Sequence, residues 1–257
     1  MVPRGSVHRL LRSANSSAHH RLSSNQTLGT TTRVSWHPRV ASILIAVSPV
    51  DSPTTYGYSY WKRYARTPAE NGHQIVILKN ASLPAFEKAL NKYDPRLVIM
   101  DSHGGSKGVE VNGHVILGVK GYDPELGLKI YDTNTHLMAG RIVYCATCNT
   151  GKELAFRLID AGAIAVAAYR EPFIFLSEEH ISNPLNDKIS YPFFVSLLQP
   201  ALQLATDKTF GQAVNITRQA FQYYRDLAEK RGDEQAAKYL HFDASSVIAL
   251  GDMEARL

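Results

Sequence analysis

Residues 40–47 (VASILIAV) form an almost unbroken apolar run of strand length. Such a run predicts a β-strand buried on both faces. Runs of the same kind recur at 74–78 (QIVIL), 97–100 (LVIM), 142–144 (IVY) and 164–168 (IAVAA). Between them the period changes from continuous to helical. Residues 83–90 (LPAFEKAL) put Leu83, Phe86 and Leu90 on one side, with Ser82 placed as N-cap and Pro84 in the first turn, a helix start. Residues 151–161 put Leu154, Leu158 and Ala161 on one side, and Gly162 can end that helix in the left-handed conformation. Strand, helix and strand at this spacing predict an α/β domain with a mainly parallel sheet covered on both sides.

One segment breaks the alternation. Residues 109–117 (VEVNGHVIL) carry Asn112-Gly113 between two β-rich arms, the signature of a type I′ hairpin. It follows the 97–100 run almost at once, so a small antiparallel ribbon is expected just beyond that strand's carboxyl end. Residues 192–205 and 210–230 read as helices, the second with Phe210, Val214, Thr217, Phe221 and Tyr224 along one stripe. A last strand at 247–250 closes the chain, with no internal repeat and no linker after residue 40.

Charge changes the picture only locally. The 257 residues contain 28 Lys plus Arg against 23 Asp plus Glu, a net of +5. Six of the positive charges (Arg4, Arg9, Arg12, Arg21, Arg33, Arg39) lie in residues 1–40, which have no Lys, Asp or Glu, leaving 22 against 23 in the other 217 residues. The body, 41–257, is therefore balanced and gives no reason to expect nucleic acid as its partner. The segment 1–40 is expected to be a flexible basic arm, and Val2 to Ser6 (VPRGS) reads as the remnant of a thrombin-cleavable tag. No stretch reaches the ~18 apolar residues that span a bilayer, so neither a membrane nor a secretory route is expected. Cys145 and Cys148 are the only cysteines, too few for a disulfide scaffold and consistent with a cytoplasmic setting.

In an open parallel sheet, ligands bind outside the carboxyl ends of the strands. Two loops there carry chemistry: Asp101-Ser102-His103-Gly104-Gly105 and Cys145-Ala146-Thr147-Cys148-Asn149-Thr150-Gly151. A His and a Cys so placed can face each other as base and nucleophile. A Gly after the His lets backbone approach a bound carbonyl and stabilise an oxyanion. Cys148, just before the expected 151–161 helix, would have its thiolate favoured by that helix's N-terminal field.

These stretches resemble the caspase-like cysteine peptidases, and within them the CHAT-domain proteases, with gingipains, separases and legumains as more distant relatives. Residues 98–104 (VIMDSHG) are similar to the family's apolar strand ending in His-Gly. Residues 142–151 (IVYCATCNTG) are similar to its strand ending in Ala-Cys-x-Ser/Thr-Gly, and Leu250-Gly251-Asp252 to its Leu-Gly-Asp-Pro close. The resemblance covers residues 40–257. It implies a three-layer α/β/α sandwich with a small hairpin after the His strand, and a cysteine endopeptidase acting on protein or peptide substrates. It also implies His103 as base and acid, Cys148 as nucleophile, the Gly104 and Cys148 backbone N–H groups as oxyanion hole, and gating by a regulatory protein partner. Asp51 and Tyr56, in the loop expected after the first strand, and Ala146 fall where the family places substrate-pocket residues. Thr147 stands where Ala is common and Met253 where Pro is common. Ala146 replaces the Asp that members cleaving after basic residues often carry two positions before the cysteine.

Other readings stay open. Cys145 reads as a small core residue, His103 can be a turn histidine satisfied by backbone, and Cys145-x-x-Cys148 has the layout of a thiol-disulfide redox pair. A catalytically silent interaction domain is the third class. A zinc site lacks ligands, His136 being alone, and no metal or organic cofactor is expected. Gly104-Gly105-Ser106-Lys107-Gly108 matches a serine elbow but leads into a hairpin rather than a helix. Thr150-Gly151-Lys152 lacks the first glycine of a phosphate loop.

Overall fold

A computed structural model describes residues 41–179 and 181–257. The basic segment 1–40, its tag-like start and the first residue of the 40–47 run lie outside the described residues. In chain order the elements are β1 (Ser42–Val47), α1 (Ser52–Tyr64), α2 (Arg66–Glu70), β2 (Gln74–Lys79), α3 (Leu83–Tyr93) and β3 (Leu97–Asp101). Then come β4 (His103–Gly104), β5 (Gly108–Val111), β6 (His114–Gly118), β7 (Gly121–Asp123), β8 (Leu128–Ile130) and β9 (Ile142–Cys145). The chain ends with α4 (Leu154–Asp160), β10 (Ala165–Tyr169), α5 (Tyr191–Leu197), α6 (Gln199–Leu204), α7 (Phe210–Lys230), α8 (Glu234–Ser246) and β11 (Val247–Gly251).

The main sheet has the order β11-β10-β9-β3-β1-β2. Its pairs are parallel except at β11, which runs antiparallel to β10. Alternate residues of each strand feed two separate cores. Ile43, Ile45, Ile99 and Tyr144 pack with α1 and α5 to α8, whereas Leu44, Val98, Met100 and Cys145 pack with α3, α4 and the β5–β6 ribbon. Burial on both faces is why the inner strands read as continuous apolar runs; the 74–78 run departs from this expectation, since β2 is at the sheet edge and only partly buried. No helix among the described residues is long and apolar enough to cross a membrane.

The β5–β6 hairpin forms as its sequence predicts, with Asn112 at φ 51° and Gly113 at φ 80°, the left-handed pair a type I′ turn requires. It pairs through β5 with β4, so His103 and Gly104 sit opposite Glu110 and Val109. The backbone N–H of Asn112 donates to Ser48 Oγ at 2.9 Å, tying the turn to the loop after β1.

Several expectations need correction. Asp51 and Tyr56 do not lie in an open loop, because Asp51 caps α1 and Tyr56 is inside it. That helix is poor in strong helix formers and is held by burying Tyr56, Tyr60 and Trp61. Ser82 takes the N-cap backbone conformation of α3, but its side chain makes no cap bond. The expected 192–205 helix is two, α5 and α6, meeting at Leu198. Pro200 has no N–H to donate to the preceding turn. The expected 151–161 helix begins only at Leu154, after a series of turns.

Candidate active site

The order of the strands decides which loops meet. β3 lies between β1 and β9, with Val47 level with Asp101 and Met100 level with Cys145. The loops leaving β1, β3 and β9 therefore emerge side by side at one sheet edge. There they enclose a cavity of about 160 Å³ whose lining includes Asp101, His103, Cys148, Phe173, Phe175 and Phe194. Larger open grooves of about 610 Å³ and 660 Å³ lie elsewhere, the first beside Pro84 and Tyr131, the second beside Arg96 and Arg141. Neither contains the His and Cys loops.

His103 is held from the loop after β1. Its Nε2 lies 2.7 Å from Oδ2 of Asp51, both side chains being about two-fifths exposed. Asp51 is fixed in turn: Oδ1 accepts from the Thr54 backbone N–H at 3.2 Å and the Thr54 hydroxyl at 2.6 Å, a capping box at the start of α1. Burial opposes ionisation of Asp51, but the Thr54 hydrogen bonds and the facing His103 outweigh it and hold the carboxyl below its ordinary value. The imidazole is thereby oriented through Nε2, leaving Nδ1 for proton exchange.

Cys148 leaves β9 through a braced turn. The Thr147 hydroxyl donates to Thr150 Oγ1 at 3.1 Å, and the Thr150 hydroxyl to the Thr147 carbonyl at 3.2 Å. Asn149 is left-handed at φ 60°, and Gly151 N–H donates to the Tyr169 carbonyl at 2.8 Å. A Cβ on Gly104 would stand 2.6 Å from the Cys148 carbonyl oxygen and 2.7 Å from Thr147 Cβ. Only glycine lets the His loop press against the Cys loop this closely. The Cys148 N–H donates to no other described residue, as an oxyanion donor requires.

The thiol is half-buried, and its Sγ accepts from the Phe173 N–H at 3.4 Å. Burial pushes the Cys148 thiol up; the Phe173 hydrogen bond opposes this, and the Asp243 and Asp101 carboxylates reinforce it. The helix-field expectation is therefore corrected. Leu154 starts α4 well beyond Cys148, and burial governs the thiol. Cys145 is fully buried in the core on the other face, and burial pushes its thiol to about 12.

Of the expected pocket residues, Ala146 lines the cavity. Tyr56 stands behind it, its ring 5.3 Å from Phe175 and 5.5 Å from Phe194, its hydroxyl donating to Asp187 at 2.7 Å. Asp51 instead faces His103. Two residues missed in the sequence complete the surroundings. Asp101, at the end of β3, accepts from Trp61 Nε1 at 2.5 Å, and Asp243 on α8 accepts from the Ile174 N–H at 3.1 Å. Asp-Ser-Pro ahead of the aromatic-rich stretch was the available signal for the α1 cap; Asp101 stood in the His loop already singled out, but nothing local marked its burial, nor Asp243. Among the described residues no group of three or more His, Cys, Asp or Glu is arranged to hold a metal ion. The sequence matches no protein-family model and no curated protein.

Proposed function

We propose that this chain is a cysteine endopeptidase built on a caspase-like three-layer α/β/α body. The carrying observation is that Asp51 orients His103 at the mouth of the cavity that Cys148 also lines. In this reading His103 takes the Cys148 proton as Sγ attacks the scissile carbonyl carbon. The carbonyl electrons move onto oxygen, stabilised by backbone N–H groups including that of Cys148. As the tetrahedral intermediate collapses, His103 gives its proton to the leaving nitrogen and the C–N bond breaks, leaving a thioester. Water then attacks that thioester, its proton passing to His103; the C–S bond breaks, and the thiol is restored with the acid product released. Asp51 carries no proton in these steps and stabilises the imidazolium.

The half-buried, Phe173-bonded thiol supports a resting form, so gating by a protein partner belongs to the same reading. The two free cysteines fit a cytoplasmic, reducing setting. A redox pair is the weaker alternative, because Cys145 is buried on the opposite face with its thiol pushed up to about 12. A silent interaction domain is the reading favoured by the raised Cys148 thiol alone.

The test compares Cys148→Ala, Cys145→Ala and His103→Ala against a diverse peptide library, with labelling by a thiol-directed acylating probe. Cleavage and labelling that survive Cys145→Ala and vanish in the other two are expected. Dependence on both cysteines but not on His103 would sink the reading. Absence of both turnover and labelling in the native chain favours the silent domain.

A further inference from the structure

Arg96 and Arg141 immediately precede β3 and β9 and stand level with each other at the amino edge of the main sheet, the end opposite the His and Cys loops. Two like charges side by side on neighbouring strands are destabilising unless something neutralises them. Backbone carbonyls fix both guanidinium groups. Arg96 donates from Nε to the Arg256 carbonyl at 3.3 Å and from Nη1 to the Gly140 carbonyl at 3.2 Å. Arg141 donates from Nη1 to the Leu137 carbonyl at 3.2 Å and the Ala139 carbonyl at 3.0 Å. Carbonyls hold the geometry of the pair without cancelling its charge.

One carboxylate answers the two cations. Asp94 Oδ1 accepts from Arg141 Nη2 at 2.8 Å, but Asp94 is 91% exposed, so that ion pair is weak and replaceable. Arg96 has no ion-pair partner among the described residues. Arg141 Nε is buried and has no hydrogen-bond partner. A buried donor left unpaired is costly and calls for an acceptor.

Both guanidinium groups border the groove of about 660 Å³. Gly140 and Arg256, which Arg96 bonds, line it, as do Ala139 and Asp94, which Arg141 bonds. The Arg256 side chain itself turns away to the Asp207 carbonyl. The volume is that of a small-molecule site rather than of a bare ion. A carboxylate is matched by one guanidinium fork, whereas a tetrahedral dianion has oxygens for two and carries more charge than Asp94. Tyr93 and Pro95 complete the lining with apolar surface.

We infer that this groove binds a small phosphomonoester, with Arg96 and Arg141 holding the phosphate and the Tyr93 and Pro95 wall holding the organic group. Asp94 keeps Arg141 in place until the phosphate displaces it. The site lies at the other end of the strands from Cys148 and is independent of the peptidase reading.

Titration calorimetry of the full chain with phenyl phosphate, inorganic phosphate, phenyl sulfate and benzyl alcohol, at constant ionic strength, tests it. Phenyl phosphate is expected to bind most tightly and benzyl alcohol not at all. Arg96→Gln should weaken phenyl phosphate about tenfold. Asp94→Asn, at a left-handed φ of 38° that asparagine tolerates, should tighten it roughly threefold by removing the competing charge. A variant that merely misfolds does not gain affinity. No binding of phenyl phosphate overturns the inference, and so does binding that neither variant changes, which assigns the anion to other basic residues. Inorganic phosphate binding as tightly as the ester overturns it in favour of a free-phosphate site. Equal affinity for phenyl sulfate overturns it in favour of a site without preference for a dianion.

Discussion

Asp51 and His103, 52 positions apart in the chain, meet at 2.7 Å between Oδ2 and Nε2. The contact exists because β1 and β3 are neighbours in register, so the loops that leave them rise side by side. Asp51 is bound from both sides: Oδ1 accepts from Thr54 and Oδ2 faces the imidazole. A group that both caps a helix and aims a histidine makes the two roles separable by mutation.

Asp51→Asn retains a good N-cap but loses the charge that steadies an imidazolium. On the proposed mechanism kcat is expected to fall roughly 10- to 100-fold with little change in KM. Asp51→Ala is expected to lose the cap as well, costing about 1 kcal/mol of stability. Steady-state kinetics paired with denaturant melts of the two variants checks this; equal kcat in Asp51→Asn and the native chain would show that His103 does not depend on Asp51.

Gly57 lies inside α1, where replacing glycine by alanine ordinarily stabilises by about 1 kcal/mol. Here the sign is expected to reverse, since the new Cβ would stand 2.3 Å from the Asp101 carboxylate. Urea denaturation of Gly57→Ala beside the double variant Gly57→Ala/Asp101→Ala tests the cause. The second change should recover part of the loss, and failure to recover any points away from this contact.

Burial pushes the Asp101 carboxyl up to about 7, with the Trp61 hydrogen bond opposing. Because the folded value lies above the unfolded one, the native state binds the extra proton between about 4 and about 7. Its contribution is thus fully present below the unfolded value and is lost as pH rises through the folded value. The groups around it do not offset this, as Tyr144, Tyr169, Cys148 and Asp243 are all raised by burial. Asp101→Asn should therefore gain on the native chain across that interval, by on the order of 4 kcal/mol when it is complete, and then level off. Melts between pH 4 and pH 9 check the sign; a gap that narrows with rising pH contradicts it.

On the proposed reading Cys145→Ala leaves peptidase activity intact, and it is expected to cost about 1 kcal/mol of stability, since it removes one buried atom from the second core. Peptidase assay and thermal melt of this variant, run beside Cys148→Ala, separate a packing cysteine from a reactive one.

The strands were legible because burial on both faces demands uninterrupted apolar residues, and the hairpin because Asn112-Gly113 supplies the left-handed pair its turn needs. The His and Cys loops were legible for a related reason: each follows such a strand, and in a parallel sheet those ends share an edge. Helix α1 was not, because its threonines, tyrosines and glycine favour no helix until Tyr56, Tyr60 and Trp61 are buried. α8, which carries Asp243, was missed as well.

The sequence by itself determined an α/β body whose strands and loops place a histidine and a cysteine at one sheet edge, and confined the excess positive charge to residues 1–40. Strand order is a tertiary fact, set by how the helices pack across both faces. That order alone brought Asp51 to His103, set Asp101 in the cradle of Gly57 and Trp61, and put Cys145 and Cys148 in different surroundings. Local pattern reports which side chains must leave water; which of them then meet depends on neighbours far away in the chain, and no local period records those.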